Sequence, residues 1–347
     1  MDVLLNERYQ TTELIGVGGA ASVYRAVDRN LGRDVAVKVF NPTTPDDDDY
    51  RRQHTETLLL STLNHPSLVT LHDAGIHQDE EGRTTGFLVM ELVDGEDLRK
   101  LLKKGPLPPS STAQVGADLA DALAYIHAEG VVHRDVKPAN ILMFRGGDND
   151  TRLYPKLTDF GIARMVEATM ATATGATIGT ANYLSPEQAQ GTPIEARTDI
   201  YSLGLVLLEC LTGEKAFPGP VVEAAVARLL RDPEVPAWLD GDWKDLLTAM
   251  TARSAGDRPH AHDVAVILRS TPADESGFSI PSPLPGSANR AATGRHSAGA
   301  EITDHGSRAH TGDVITGGAT SGNVYIPEPP AQCPASSMPL RHSFPRA

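Results

Sequence analysis

Cysteine is scarce in this chain, with 2 residues among 347, Cys210 and Cys333. Two thiols so far apart, without the neighbours of a zinc site, favour a reducing compartment over a disulfide framework. Long apolar runs are missing as well. The longest, residues 200–211, is interrupted by polar side chains and falls short of the about 20 residues that cross a bilayer. The N-terminus also lacks a signal-peptide pattern. We therefore expect a cytoplasmic chain without a membrane span.

An excess of positive charge is absent too, since the formal net charge is −14. This balance argues against non-specific nucleic-acid binding and weakly favours basic protein partners, although solubility explains it equally well. From about residue 272 the composition shifts to Pro, Gly, Ser, Ala and Thr, which cannot bury enough surface to offset the entropy of ordering. The sequence therefore predicts a folded domain over residues 1–270 and a disordered tail over 271–347. The tail could be a phosphorylated docking arm or an inert extension.

The most informative stretch is His-Arg-Asp-Val-Lys-Pro-Ala-Asn at residues 133–140. Its Asp135 can accept a hydroxyl proton, Lys137 can bind a phosphate and Asn140 can hold a metal ion. An Asp-Phe-Gly triplet follows nineteen residues after Asn140, and its Asp159 supplies a carboxylate for Mg²⁺. This set of residues is typical of phosphoryl transfer.

Further motifs accompany these two along the chain. In order, a Gly-rich strand–turn–strand, a strand lysine and a helix glutamate come before residue 133, and a Pro-Glu dipeptide comes after the Asp-Phe-Gly triplet. Together they resemble the bacterial eukaryotic-type (Hanks-type) serine/threonine protein kinases over roughly residues 8–270. The resemblance implies an α+β fold with two lobes. The N-lobe, about residues 1–93, would be a small antiparallel sheet with one helix. The C-lobe, about 94–270, would be larger and mainly helical.

The periodicity of apolar side chains predicts the individual elements. The predicted strands are Tyr9–Gly16, Ala21–Asp28, Asp34–Phe40, Leu68–Ile76 and Thr84–Leu92. The predicted helices are Arg51–Leu63, Glu96–Lys103, Ser110–Glu129, Thr198–Thr212, Val221–Leu230, Trp243–Ala252 and Ala261–Leu268.

The kinase resemblance also implies a nucleotide site for ATP. Gly16 and Gly18 would let backbone amides approach the phosphates, although Ala21 stands where the family pattern has glycine. Lys38 would bind the α- and β-phosphates and pair with Glu56. Asp49 is the rival partner, and Glu56 could instead be an ordinary exposed glutamate of the helix. The adenine would lie among Val23, Ala36, Met90 and Leu142, and would bind the backbone at Glu91 and Val93. Taken alone, a Gly-rich hairpin is usually only a turn, and each apolar residue could equally be plain core.

The resemblance further assigns roles in the reaction. Asp135 would orient the substrate hydroxyl and accept its proton, while Lys137 would neutralise the γ-phosphate in the transition state. Asn140 and Asp159 would hold Mg²⁺, with Mn²⁺ as a possible substitute, because oxygen ligands suit these cations. A lysine two residues after the catalytic aspartate is the serine/threonine form of the motif.

Regulation is expected in the segment between the Asp-Phe-Gly and Pro-Glu motifs. Thr172 and Thr174 resemble the paired autophosphorylation threonines of bacterial relatives, although a polar loop that merely contains threonines is the alternative. Arg134 would bind the phosphate that such a segment gains. Thr180 would bridge Asp135 and Lys137.

Three further residues are expected to be structural. Glu187 of the Pro-Glu dipeptide should pair with Arg258, and such a buried pair costs several kcal/mol to break. Asp199 would hold the backbone of the catalytic loop, a role compatible with a helix N-cap. Residues 145–150 are predicted to be a surface turn insertion.

Three functions compete at this stage. An active kinase acting on Ser and Thr of proteins is favoured because Lys38, Asp135, Asn140 and Asp159 are all present. A pseudokinase scaffold usually lacks one of these residues. A small-molecule phosphotransferase lacks the segment from Thr180 to Glu187 that binds a peptide. Relatives form back-to-back dimers of the small lobe, and a homodimer through the N-lobe is open to this chain, but no residue pattern establishes it.

Overall fold

Alternating apolar and polar residues in the first part of the chain produce a six-stranded antiparallel sheet. A computed structural model describes residues 3–19, 21–41, 62–79, 82, 84–147, 150, 152–159, 181–239 and 241–271. The strands of this sheet are β1 (Leu4–Leu5), β2 (Tyr9–Val17), β3 (Ala21–Asp28), β4 (Arg33–Phe40), β5 (Leu71–Gln78) and β6 (Thr84–Glu91). They lie in the order β1-β2-β3-β4-β6-β5.

After residue 94 the described chain is mainly helical. Three short strands, β7 (Gly95–Asp97), β8 (Ile141–Phe144) and β9 (Tyr154–Leu157), form a second antiparallel sheet. The helices are α1 (Leu98–Leu102), α2 (Pro109–Ala128), α3 (Pro186–Gln190), α4 (Arg197–Thr212), α5 (Val221–Leu230), α6 (Gly241–Met250) and α7 (Ala261–Ser270). The resulting sheet-rich and helix-rich parts match the predicted two-lobed α+β fold.

Most predicted elements are confirmed to within two residues, and three boundaries that differ from the prediction have a local explanation or limit. The helix predicted from Glu96 begins at Leu98, because Asp97 ends strand β7 and its side chain accepts a hydrogen bond from the Lys100 backbone amide at 2.9 Å. The strand predicted from residue 68 begins at residue 71. The helix predicted over residues 51–63 does not reach residue 63, and residues 51–61 lie outside the described part of the chain.

Two apolar cores hold these elements together. The smaller packs under the six-stranded sheet and includes Tyr9, Val35, Val37, Phe87 and Val89. The larger joins the helices to the second sheet. Its centre is α4, whose residues from 198 to 211 are all buried. None of the described helices is long and apolar enough to cross a bilayer. Helix α4 is therefore the internal support for the loops that surround it.

Candidate active site

The loop before β8 brings three of the predicted catalytic side chains into contact. Lys137 Nζ donates to Asp135 Oδ2 at 2.7 Å. The Asn140 side-chain amide donates to the Asp135 carbonyl oxygen at 2.9 Å and to Asp135 Oδ2 at 3.0 Å. A short 3-10 turn, Pro138–Asn140, makes this approach possible. The carboxylate of Asp135 is thus held by two donors from its own loop.

Asp199, at the start of α4, fixes the backbone of the same loop. Its completely buried carboxylate accepts hydrogen bonds from the backbone amides of His133 at 2.8 Å and Arg134 at 2.7 Å. His127, near the end of α2, adds a third contact through Nε2 at 2.8 Å. Arg134 adopts a φ of 67°, a conformation uncommon for non-glycine residues, which these bonds help to stabilise. The predicted support of the catalytic loop by Asp199 therefore has a direct geometric basis.

His133 links the loop to the residue that precedes Asp159. Its ring is completely buried, and burial lowers the pKa of His133, so the imidazole is neutral at pH 7. Nδ1 faces the backbone amide of Asp135 at 3.3 Å, and Nε2 faces the carbonyl oxygen of Thr158 at 3.1 Å. In the neutral form, Nδ1 accepts from Asp135 and Nε2 donates to Thr158. The position of Asp159 is consequently tied to that of Asp135.

The strand lysine and the Asp-Phe-Gly aspartate meet across the site. Lys38 Nζ donates to Asp159 Oδ1 at 2.7 Å. Asp159 follows β9 with a φ of 58°, and the Thr158 backbone amide donates to the Asn140 carbonyl oxygen at 2.9 Å. The predicted partner of Lys38, Glu56, lies outside the described residues. In the described part of the chain, Lys38 is paired with Asp159.

One face of the six-stranded sheet gathers three of the residues predicted to surround a nucleotide base, Val23, Ala36 and Met90. Strand pairing places Val23 opposite Lys38, and Ala36 opposite Met90. Because side chains two residues apart on a strand share a face, Ala36 and Lys38 lie on the same side as Val23 and Met90. Gly16 pairs with Val23, and the Gly18 backbone amide donates to the Ala21 carbonyl oxygen at 2.8 Å. A small cavity at the same face is lined by Lys38, Phe40, Leu63, Leu68, Val69, Leu71, Leu88, Met90, Thr158 and Asp159.

The connection between the two parts of the fold is held by an ion pair that sequence reasoning missed. Lys156 Nζ lies 2.9 Å from Glu91 Oε2 and also donates to the carbonyl oxygen of Leu68 at 3.3 Å. The Glu91 backbone amide donates to the Thr70 carbonyl oxygen at 2.9 Å. Glu91 is thereby joined to β9, three residues before Asp159. A lysine that alternates with buried Pro155 and Leu157 on a strand was the available signal.

Glu187 and Arg258 form the predicted buried pair. The two guanidinium nitrogens of Arg258 donate to the two carboxylate oxygens of Glu187 at 2.7 and 2.9 Å, and Thr198 Oγ1 adds a bond at 2.7 Å. Burial alone would raise the pKa of Glu187, but the hydrogen bonds from Arg258 and Thr198 outweigh it and lower the pKa to about 2. The carboxylate is therefore ionised at neutral pH and holds the start of α3 on the helical core.

Comparison with known proteins agrees with this geometry. The protein kinase domain model matches residues 9–266. The chain belongs to the protein kinase family. It is 42% identical over 235 residues to serine/threonine-protein kinase PknB of Mycobacterium leprae, which covers 67% of this chain and 37% of that protein. PknB of Mycolicibacterium smegmatis is 40% identical over 260 residues, covering 74% and 40% of the two chains.

A third relative is similar over a longer stretch. Serine/threonine-protein kinase PknA of Mycobacterium tuberculosis is 37% identical over 328 residues, covering 89% of this chain and 74% of that protein. By contrast, this chain spans only about two fifths of the length of the PknB relatives. Protein kinases use ATP, so ATP is the nucleotide that membership of this family implies.

Two more contacts of this kinase domain were missed from the sequence. Tyr183 donates to Glu209 at 2.5 Å, and burial is the main cause that raises the pKa of Glu209. Gln188 donates from its side-chain amide to the Arg134 carbonyl oxygen at 2.7 Å. A carboxylate inside the apolar run of α4 was a readable signal for Glu209. Gln188 gave none, because a helical glutamine usually points to solvent.

Several predicted residues lie outside the described part of the chain. They are Glu56, Thr172, Thr174 and Thr180. Leu142 pairs with Asp97 and Lys156 on the second sheet, and Val93 follows β6 beside Glu91. The roles of all these residues stay predictions.

Proposed function

We propose that this chain is an ATP-dependent serine/threonine protein kinase that phosphorylates proteins and its own segment between Asp159 and Glu187. The observation that carries the proposal is the pair of linked clusters, Asp135 with Lys137 and Asn140, and Lys38 with Asp159. All groups that align a phosphate and a hydroxyl are present and are joined by the hydrogen bonds described above. A scaffold without turnover would not need this set intact.

The reaction follows from the chemistry of these groups. The hydroxyl oxygen of a substrate Ser or Thr bonds to the γ-phosphorus of ATP, and the bond from that phosphorus to the β,γ-bridging oxygen breaks, releasing ADP. Asp135 accepts the hydroxyl proton, and Lys137, 2.7 Å from it, stabilises the transferred phosphoryl group. Lys38 binds the remaining phosphates from the sheet side. Positioning and charge stabilisation, rather than covalent chemistry, provide the catalysis.

A divalent cation fits the residues that face the phosphates. Asn140 uses its side-chain nitrogen on Asp135, which leaves the amide oxygen for a metal, and Asp159 has a second carboxylate oxygen besides the one bound to Lys38. Both are hard oxygen ligands, which suit Mg²⁺ and accept Mn²⁺. Such an ion would neutralise phosphate charge. Asn140 and Asp159 are therefore the proposed ligands.

The first experiment is transfer from γ-labelled ATP with Mg²⁺ or Mn²⁺ to a basic acceptor protein and to the chain itself. Wild type is compared with Asp135→Asn, and phosphosites are mapped by mass spectrometry. We expect label at Thr172 or Thr174 in wild type and a loss of about 10²–10⁴-fold in the variant, because it lacks the proton acceptor. Binding of ATP by both proteins without transfer by either would instead indicate a scaffold.

A dimer through the small lobe is also proposed. Arg8 donates to Asp28 through two nitrogens at 2.9 and 2.8 Å and to Asp73 at 3.1 Å, which ties β3 to β5 through the residue before β2. Leu31 and Ile76 are exposed, at 61% and 50%. Sedimentation of wild type should show a dimer that Leu31→Asp dissociates and that Val266→Asp, on α7, leaves intact. Equal sedimentation of all three proteins as monomers would contradict a dimer.

The remaining proposals concern location and extent. Residues 1–270 are proposed as the kinase domain and residues 271–347 as a tail outside it, because the composition changes at about residue 272; residues 272–347 lie outside the described part of the chain. The acidic balance supports protein rather than nucleic-acid partners. Few cysteines support a cytoplasmic location.

A further inference from the structure

The segment that enters α3, residues 183–187, is held from two different sides. The Tyr183 carbonyl oxygen accepts a bond from Ser202 of α4 at 2.8 Å, and the Glu187 carboxylate is bound by Arg258. Between them, the carbonyl oxygen of Leu184 accepts a hydrogen bond from Arg228 of α5. The contacts at either end come from the deep core, whereas the one at Leu184 comes from a helix near the surface.

Arg228 is an unusual residue for this position, because its side chain is completely buried. Its Nε donates to the Ala224 carbonyl oxygen one turn earlier at 3.0 Å, and its guanidinium lies 5.0 Å from the centre of the Phe217 ring. Burial lowers the pKa of Arg228 to about 10, which leaves the group charged at pH 7. Burying a cation costs free energy unless its N–H groups find hydrogen-bond acceptors. The guanidinium of Arg228 therefore favours a position of the Leu184 carbonyl oxygen in which that bond can form.

The same segment is also joined to the catalytic loop. Ser185 and Gln188 form a reciprocal capping box at the start of α3, with bonds of 3.0 and 3.2 Å. The Gln188 side chain then donates to the carbonyl oxygen of Arg134, the residue before Asp135. A displacement at Leu184 would therefore be felt one residue away from the proton acceptor.

We propose that Arg228 is a positioning residue that fixes the backbone at Leu184 and thereby sets which peptides this kinase accepts. The inference rests on the proposed kinase function, because the sequence motif from Tyr183 to Glu187 matches the peptide-binding end of the kinase segment. The contacts of Arg228 described above are with Ala224, Phe217 and Leu184, none of which is proposed to bind ATP or to take part in the transfer. It acts by holding the surface on which the residues next to the phosphorylated Ser or Thr lie.

A purely architectural role is the competing explanation. Buried charged groups replaced by apolar residues of similar volume are often tolerated, so a stability measurement alone does not distinguish the two roles. Arg231 provides a matched control. It follows the last residue of the same helix, and its guanidinium lies 4.9 Å from the centre of the same Phe217 ring, but its hydrogen bonds to the carbonyl oxygens of Ala216 and Asp232 are long, at 3.5 Å.

The test compares wild type with Arg228→Met, Arg228→Lys and Arg231→Met in the full chain. Steady-state kinetics are measured with ATP and with a peptide set in which the residues flanking the acceptor vary. For Arg228→Met we expect kcat/KM for the preferred peptide to fall about tenfold, with the KM for ATP within about twofold and a flatter preference among peptides. Arg228→Lys should recover part of the preference, and Arg231→Met should match wild type.

The outcomes separate the explanations. Wild-type peptide preference in Arg228→Met, or an equal loss in Arg231→Met, would overturn the proposal. So would a parallel loss for ATP and all peptides, which indicates general destabilisation. If Arg228→Met does not fold, Arg228→Lys decides, because a residue without a positioning role would leave the peptide preference unchanged. Absence of transfer by wild type to any protein would instead count against the proposed kinase function itself.

Discussion

Two charged clusters in this molecule use similar groups in opposite surroundings. Glu187 and Arg258 are joined by two short bonds, and the Arg258 side chain has no exposed surface. Lys38 and Asp159 are joined by one bond, and 37% of the Asp159 side chain remains exposed. In the first cluster protein donors fill the carboxylate, so it serves the fold. In the second, the described residues bind only one carboxylate oxygen of Asp159, so this pair is the one proposed to serve catalysis while the first serves stability.

The largest change in stability is expected when the buried Glu187–Arg258 pair, here called the closed cluster, is broken. The Lys38–Asp159 pair is called the open cluster. Arg258→Met leaves Glu187 buried with one donor fewer on each oxygen, and breaking a buried pair costs about 3–5 kcal/mol. Urea unfolding of the chain should show this decrease in the free energy of unfolding. The comparison would fail if Arg258→Met were as stable as wild type.

The closed cluster should also give the protein a specific acid sensitivity. The pKa of Glu187 is lowered from 4.5 to about 2, so its contribution to stability is complete above pH 4.5 and is lost as the pH falls towards 2. Glu187→Gln removes that titration. The melting temperature should therefore fall more steeply between pH 6 and pH 3 for wild type than for the variant. Parallel curves would count against Glu187 as the titrating group.

The open cluster should respond in the opposite way. Lys38→Met removes a charge aimed at the phosphates, and losing one such group costs about 10²–10³-fold in kcat. Because the pair is partly exposed, the free energy of unfolding should change by less than about 1 kcal/mol. Phosphate transfer and urea unfolding of the same preparation measure both. A large loss of stability would show that the pair is structural after all.

The smallest effect is expected at the ion pair between the two sheets. Lys156→Met frees Glu91 without touching the phosphates, so we expect the KM for ATP to rise about threefold, with kcat nearly unchanged. Arg152→Met is the control. Arg152 lies on the same hairpin as Lys156, but its ion pair is with Asp118 of α2 at 2.8 Å and does not involve Glu91. A larger loss in kcat than in KM would place Lys156 in the chemistry instead.

Motif order was sufficient to predict the two-lobed fold, and the side chains that it proposes as catalytic at residues 135–140 lie in contact in the structure. Contacts such as Glu187 with Arg258, 71 residues apart, followed from the kinase resemblance. What could not be predicted depends on local geometry. Asp97 ends a strand and caps a helix at once, and propensity cannot separate these roles.

The contacts of the long cationic side chains were equally hidden. Lys156 donates a hydrogen bond to the carbonyl oxygen of Leu68, and Arg228 donates one to the carbonyl oxygen of Leu184; both acceptors lie far away in the sequence. No periodicity in the sequence encodes such a choice, because it depends on how the elements pack. Four of the proposed site residues, among them Glu56, lie outside the described part of the chain and stay predictions.

Helix α4 sets a fixed length scale for the whole active site. Asp199 at one end holds the catalytic loop and Glu209 near the other holds Tyr183. Ten residues separate them, which an α-helix converts into about 15 Å. One inserted residue would turn the two anchors by about 100° relative to each other, and a buried helix has no surface on which to absorb that rotation. We expect this helix to tolerate volume-conserving substitutions better than any change of length.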